Sequence, residues 1–133
     1  MESSPSPEKS PPSFKWHLLT SSTVILIVAL LYGVVPGTTL PYLFNFEANS
    51  TELRNVFRAT MGLYLGFAGY WLYAVIHPAH RRNATLSCII FMGGLAVGRV
   101  ISTVADGFSA PFTFGLLLEI FFLAWGIRNL QKK

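Results

Sequence analysis

Charge is the first thing this chain lacks. Only 12% of its 133 residues are Asp, Glu, Lys or Arg, about half the share of a soluble domain. The deficit accompanies long apolar runs, a hydrophobic content of 52% and a mean hydropathy of +0.49. That combination points to a membrane protein. Although the net charge is +4, the basic residues gather at the ends of apolar segments. This placement suits lipid headgroups and argues against a nucleic-acid partner. Cysteine is almost absent: the lone Cys88 excludes an internal disulfide. The three histidines, His17, His77 and His80, all fall at one membrane face and have no cysteine or carboxylate nearby. A metal would want more ligands, and haem held between helices would want a histidine deeper in a span. No phosphate-binding glycine loop, no nucleophile with a His and Asp, and no paired carboxylates are found. The expectation is therefore no enzyme, no cofactor and no metal.

What is present is a succession of apolar segments. Residues Met1 to Ser13 hold four of the eight prolines and five serines, too little apolar surface to fold. Residues 1–14 are read as a disordered cytoplasmic tail and residues 15–133 as the membrane domain. Lys15-Trp16-His17 reads as an interfacial anchor. Spans are expected at about 17–36, 53–77, 84–105 and 111–128. About twenty residues cross the hydrocarbon core, so each run suffices. Hydroxyls at Thr20, Ser21, Ser22 and Thr23 can bond to their own helix backbone or to a neighbour. Pro36-Gly37 stops the first helix. The following loop carries Pro41, Tyr42, Leu43, Phe44 and Phe46. It is too apolar to be solvated, so it lies in the interface or caps the bundle. One of Asn49, Ser50 and Thr51 should cap the next helix, with Glu52 in its first turn.

Small-xxx-small spacings occur twice, at Gly62 and Gly66 and at Gly94 and Gly98. Such residues let backbones approach closely, so the second and third spans are expected to cross through these four glycines. Tyr70, Trp71 and Tyr73 mark the far interface. The segments before Leu18 and after Ile127, with the His77–Asn83 turn, hold Lys9, Lys15, Arg81, Arg82, Arg128, Lys132 and Lys133, seven of the ten basic residues. The positive-inside rule then places both termini in the cytoplasm.

Three charges interrupt the spans: Arg58, Arg99 and Glu119. Each lies about seven residues from the outer end of its helix, roughly 10 Å deep. A charge at such depth costs roughly 2.5–3.5 kcal/mol on insertion scales and should face protein or water. The three are read as one interior polar cluster with a formal surplus of positive charge. Asp106, which shares a face with Arg99 and Ser102, could offset that surplus, as could Tyr64 or Asn55 as acceptors, or a bound anion. Three readings stay open. The cluster is a structural Arg–Glu–Arg lock, a site for a carboxylate, phosphate or lipid headgroup, or a proton relay through Glu119.

These residues carry a resemblance. From Asn49 to about Asn129 the chain resembles a family of small bacterial membrane proteins catalogued as domain of unknown function 4345. The resemblance rests on Glu52-Leu53-Arg54-Asn55-Val56-Phe57-Arg58, Gly62-Leu63-Tyr64-Leu65-Gly66, Gly93-Gly94-Leu95-Ala96-Val97-Gly98-Arg99 with Ser102, and Glu119. It implies a four-helix membrane fold in a bacterial cytoplasmic (inner) membrane, and no catalytic residues. The resulting expectation is an all-α bundle of four transmembrane helices. Its role is that of an accessory or scaffold subunit, with Phe112, Phe114, Phe121 and Phe122 offered to a larger membrane protein complex. The alternative is a protein that binds or transports an anionic or lipid-like molecule through Arg58, Arg99 and Glu119.

Overall fold

A computed structural model describes residues 11–132, and the described residues form an all-α bundle. The helices are α1 (Pro12–Gly33), α2 (Pro36–Phe44), α3 (Thr51–Ile76), α4 (Arg81–Asp106) and α5 (Ala110–Gln131), with a short 3-10 turn at Pro78–His80. Four of them, all but α2, are long and apolar enough to cross a membrane. At 1.5 Å per residue even a 22-residue helix reaches about 33 Å, against a hydrocarbon core of about 30 Å. Large apolar side chains such as Ile27, Val56, Leu63, Ile90, Ile101 and Leu117 point outward, each more than half exposed. Water would penalise that mantle; acyl chains would not.

The first helix starts earlier than expected. Pro12 occupies its first turn, where a missing N–H costs nothing. Ser13 donates to Asn129 Oδ1 at 2.6 Å and accepts from Trp125 Nε1 at 3.3 Å, while Asn129 Nδ2 donates to the Ser13 carbonyl at 3.2 Å. The start of α1 is thereby tied to the end of α5, and Phe14 is buried. The tail expected over residues 1–14 is corrected at its boundary: Pro12, Ser13 and Phe14 belong to the bundle, and residues 1–10 lie outside the described residues. Thr20, Ser22 and Thr23 donate to carbonyls one turn back, at 2.6–2.9 Å.

Val35 (φ −135°, ψ 68°) breaks the helix and Pro36 restarts it as α2. The segment expected as an apolar loop is thus partly helical, and it closes one end of the bundle. It stops at Asn45 in the left-handed region (φ 54°, ψ 37°), a conformation that asparagine tolerates. Phe44 stacks on Phe112 of α5 (5.0 Å, 9°) and packs beside Tyr32 of α1 at 5.8 Å. Ser50 caps α3 through its Oγ, which accepts from the Leu53 N–H at 3.0 Å, with Glu52 in the first turn as expected. At the other end Arg81 donates to the Ala74 and Val75 carbonyls at 3.3 and 2.7 Å. It satisfies carbonyls at the open end of α3 from the first residue of α4.

Packing departs from the expected glycine crossing. The close pairs are α1 with α3 and α4 with α5; α3 and α4 touch far less. A Cβ built on Gly62, Gly66, Gly94 or Gly98 would meet nothing within 4 Å, and all four are exposed. The expected crossing of the second and third spans through them does not occur within the bundle. The inward stripe of α3 is Phe57, Met61, Tyr64, Ala68 and Trp71, and that of α4 is Thr85, Cys88, Met92 and Ala96. Gly33 and Gly126 are where close approach occurs instead. A Cβ at Gly33 would strike the Met61 side chain, and one at Gly126 would lie 2.8 Å from Ile89 Cγ1 and 3.1 Å from His17 Cε1. Two expected interfacial aromatics also turn inward. Trp71 is fully buried and donates to Ser87 Oγ at 2.9 Å. His17 is fully buried and its Nε2 pairs with the Phe122 carbonyl at 2.9 Å. Gly126→Val should therefore lower stability by about 1–3 kcal/mol through overpacking. Gly66→Ala should leave it unchanged or raise it by up to about 1 kcal/mol, because alanine favours the helix and meets nothing there. Denaturant titration in mixed micelles distinguishes the two.

Candidate functional site

The site is built on the inward stripe of α5. Phe112, Gly115, Glu119, Phe122 and Gly126 recur every three or four residues, so they share one helical face. That face meets the upper half of α4, whose last inward residue is Arg99. Arg99 Nε donates to Glu119 Oε1 at 2.7 Å, and the two side chains are 18% and 7% exposed. Among the described residues this is the one ion pair. The guanidinium lies over the Phe112 ring at 5.3 Å from its centroid, within cation–π range. It rests on Gly115, where an added Cβ would come within 3.3 Å of Cζ and Nη2. Glu119 Oε2 is buried and has no hydrogen-bond partner, which costs free energy in an apolar wall.

Beside the pair is a cavity of about 360 Å³. Every helix contributes: Val24, Ile25, Val28, Leu31 and Tyr32 from α1, Leu43 and Phe44 from α2, Tyr64 from α3, Met92, Leu95 and Arg99 from α4, and Phe112, Leu118, Glu119 and Phe122 from α5. Leu31, Leu43 and Phe114 are 37–64% exposed and stand at its rim. The opening therefore lies on the flank of the bundle near α2. Its volume is within the usual range for small-molecule sites, and its lining is apolar with a few polar groups, as such sites commonly are.

The residues expected in one cluster separate here. Arg99, Glu119 and Tyr64 come together around the cavity. Arg58 does not join them; it is exposed on the outer face of α3. A helix face repeats every 3.6 residues, and the inward stripe of α3 passes through Phe57 and Met61 instead. The three residues match in depth along their helices but not in azimuth. Ser102 and Asp106 are exposed near the end of α4, where Ser102 Oγ donates to Asp106 Oδ2 at 3.1 Å. They pair with each other and lie outside the cavity lining. Of the four phenylalanines expected to face a partner, Phe114 and Phe121 are exposed, Phe122 is buried and Phe112 is half-buried against Phe44. Tyr32, Phe44, Phe112 and Gly115 join the site without having been expected there. The spacing of Phe112 and Gly115 from Glu119 already puts them on one face; Tyr32 and Phe44 carry no such sign. No group of three or more His, Cys, Asp or Glu placed to hold a metal occurs among the described residues.

The model of a protein family described as domain of unknown function (DUF4345) matches residues 13–128. The chain belongs to the DUF4345 family. The match begins within the first turn of α1 and ends near the end of α5, so the whole cavity of this DUF4345 member is inside the matched region. No curated protein and no solved structure matches the chain.

Either half of the ion pair removed alone leaves a charge without its partner in apolar surroundings. Arg99→Met and Glu119→Leu should each cost about 3 kcal/mol, and the double replacement should regain most of that loss. Arg58→Gln should stay within about 0.5 kcal/mol of the parent. A double-mutant cycle by reversible denaturation measures the coupling, and simple additivity would contradict it.

Proposed function

We propose that this DUF4345 protein is a non-catalytic polytopic membrane protein that holds one lipid-like molecule inside its bundle. The observation that carries this reading is the five-helix cavity with an arginine–glutamate pair in its wall. A cavity lined by every helix and opening on the bundle's flank suits a guest arriving from the acyl-chain region. The pair supplies polarity where apolar packing alone would serve stability better. Lys15, Arg81, Arg82, Arg128 and Lys132 share the end of the bundle opposite α2. The positive-inside rule makes that end cytoplasmic, in a bacterial inner membrane on the family resemblance. The cavity then opens in the outer half of the bilayer.

Val28→Trp would fill the cavity from α1 without touching the ion pair. The expected result is loss of a co-purifying small molecule, detected by native mass spectrometry, and loss of binding of the apolar dye 1-aminoanthracene. The melting temperature should be nearly unchanged. A folded parent protein that carries no adduct and takes up no dye would end this reading.

A second role is favoured by one separate observation. Gly62, Gly66 and Gly69 line an exposed strip of α3 with open space above it, and Arg58 is exposed on the same helix. A small-residue strip of this kind accepts a neighbouring helix, which suits an accessory subunit bound laterally to a larger complex. Gly62→Leu with Gly66→Leu should leave the isolated bundle folded but strip any stoichiometric membrane partner from it in a mild-detergent pull-down. Retention of that partner by the double variant would argue against this face.

A further inference from the structure

We infer that the guest of this cavity is a single-chain amphiphile with an uncharged, hydroxyl-bearing head, and that the hydroxyl donates to Glu119 Oε2. The inference rests on the cavity reading above and specifies its ligand. Charge is the first argument. Among the described residues, Arg99 and Glu119 are the only formally charged ones in the lining, and they neutralise each other at 2.7 Å. With Arg58 outside, the positive surplus that would have drawn an anion is gone. A carboxylate or phosphate head could reach the remaining guanidinium N–H groups only by lying against the like charge of Glu119, beside a cation already neutralised. An ammonium head would meet the converse difficulty at Arg99.

Hydrogen bonding is the second argument. Oε2 is a buried acceptor without a donor, and the carboxylate turns easily about its last bond. Glu119 belongs to the cavity lining, and a small turn within that broad torsional well brings Oε2 to a ligand O–H while Oε1 keeps the Arg99 Nε–H. Size is the third. A volume of about 360 Å³ is near the lower end of small-molecule sites. That suits a single alkyl chain with a small head better than the two chains of a phospholipid. The remaining lining, such as Val24, Leu95 and Leu118, offers only apolar contact to the chain.

The test uses the full-length protein in nanodiscs and displacement of 1-aminoanthracene by four ligands of equal chain length: decan-1-ol, 1-methoxydecane, decanoate and decane. A hydrogen bond to a carboxylate should make decan-1-ol about tenfold or more stronger than the other three. Glu119→Gln, confirmed as folded by its melting curve, should reduce that advantage to about twofold, whereas Arg58→Gln should keep it. Equal displacement by decan-1-ol and 1-methoxydecane overturns the inference without any variant. Decanoate matching or exceeding the alcohol also overturns it, and leaves the cavity reading standing with an anionic guest. Failure of the dye itself to bind removes the cavity reading and this inference together.

Discussion

One ion pair set in an apolar wall conditions the upper half of this bundle. Arg99 and Glu119 can occupy that depth only because each neutralises the other, and only because α4 and α5 bring them within 2.7 Å. Everything nearby accommodates the pair. Gly115 has no side chain, so the guanidinium can lie on α5. Phe112 offers its ring face to the cation and is backed by Phe44 from α2. In turn α2 is held over the bundle by Tyr32 and Phe46, which touch Phe44 and pack against Phe57 of α3. A short helix that reads as an interfacial loop is therefore part of the support for a buried charge.

The two halves of the molecule are stabilised differently. The end bearing Ser13, His17, Trp125 and Asn129 is closed by side-chain hydrogen bonds that join the first and last long helices. The end bearing α2 is closed by aromatic contacts, and the cavity lies beneath them. A hydrogen-bonded seam at one end and an aromatic-roofed cavity at the other is an arrangement that can admit a guest without loosening the whole bundle. A void this size forfeits dispersion contacts along its lining, and a bound alkyl chain would restore them.

Several features are legible from the order of residues alone. Spans, their order and a helix cap among Asn49, Ser50 and Thr51 follow from hydropathy and local hydrogen-bonding chemistry. Glu119 is recognisable as interior because a lone carboxylate in an apolar run has few other stable placements. Arg58 satisfies the same depth argument yet faces outward, because a residue two turns inside a helix end can let its long side chain reach the headgroups. The glycine strips mislead for a related reason. Small-xxx-small spacing describes a smooth helix face but does not say whether that face turns inward. His17 and Trp71 look interfacial by position, yet His17 Nε2 and Trp71 Nε1 find partners inside.

The linear order of residues decided what kind of protein this is: four long apolar helices, capped and broken at prolines, glycines and Ser50, with basic residues gathered at one end. These properties depend on neighbours along the chain, within one helical turn or within one span. Which charges meet, which glycines are contacts and where a cavity opens depend on the rotation of each helix about its own axis. That rotation is set by the summed packing of all five helices, and no segment carries it alone.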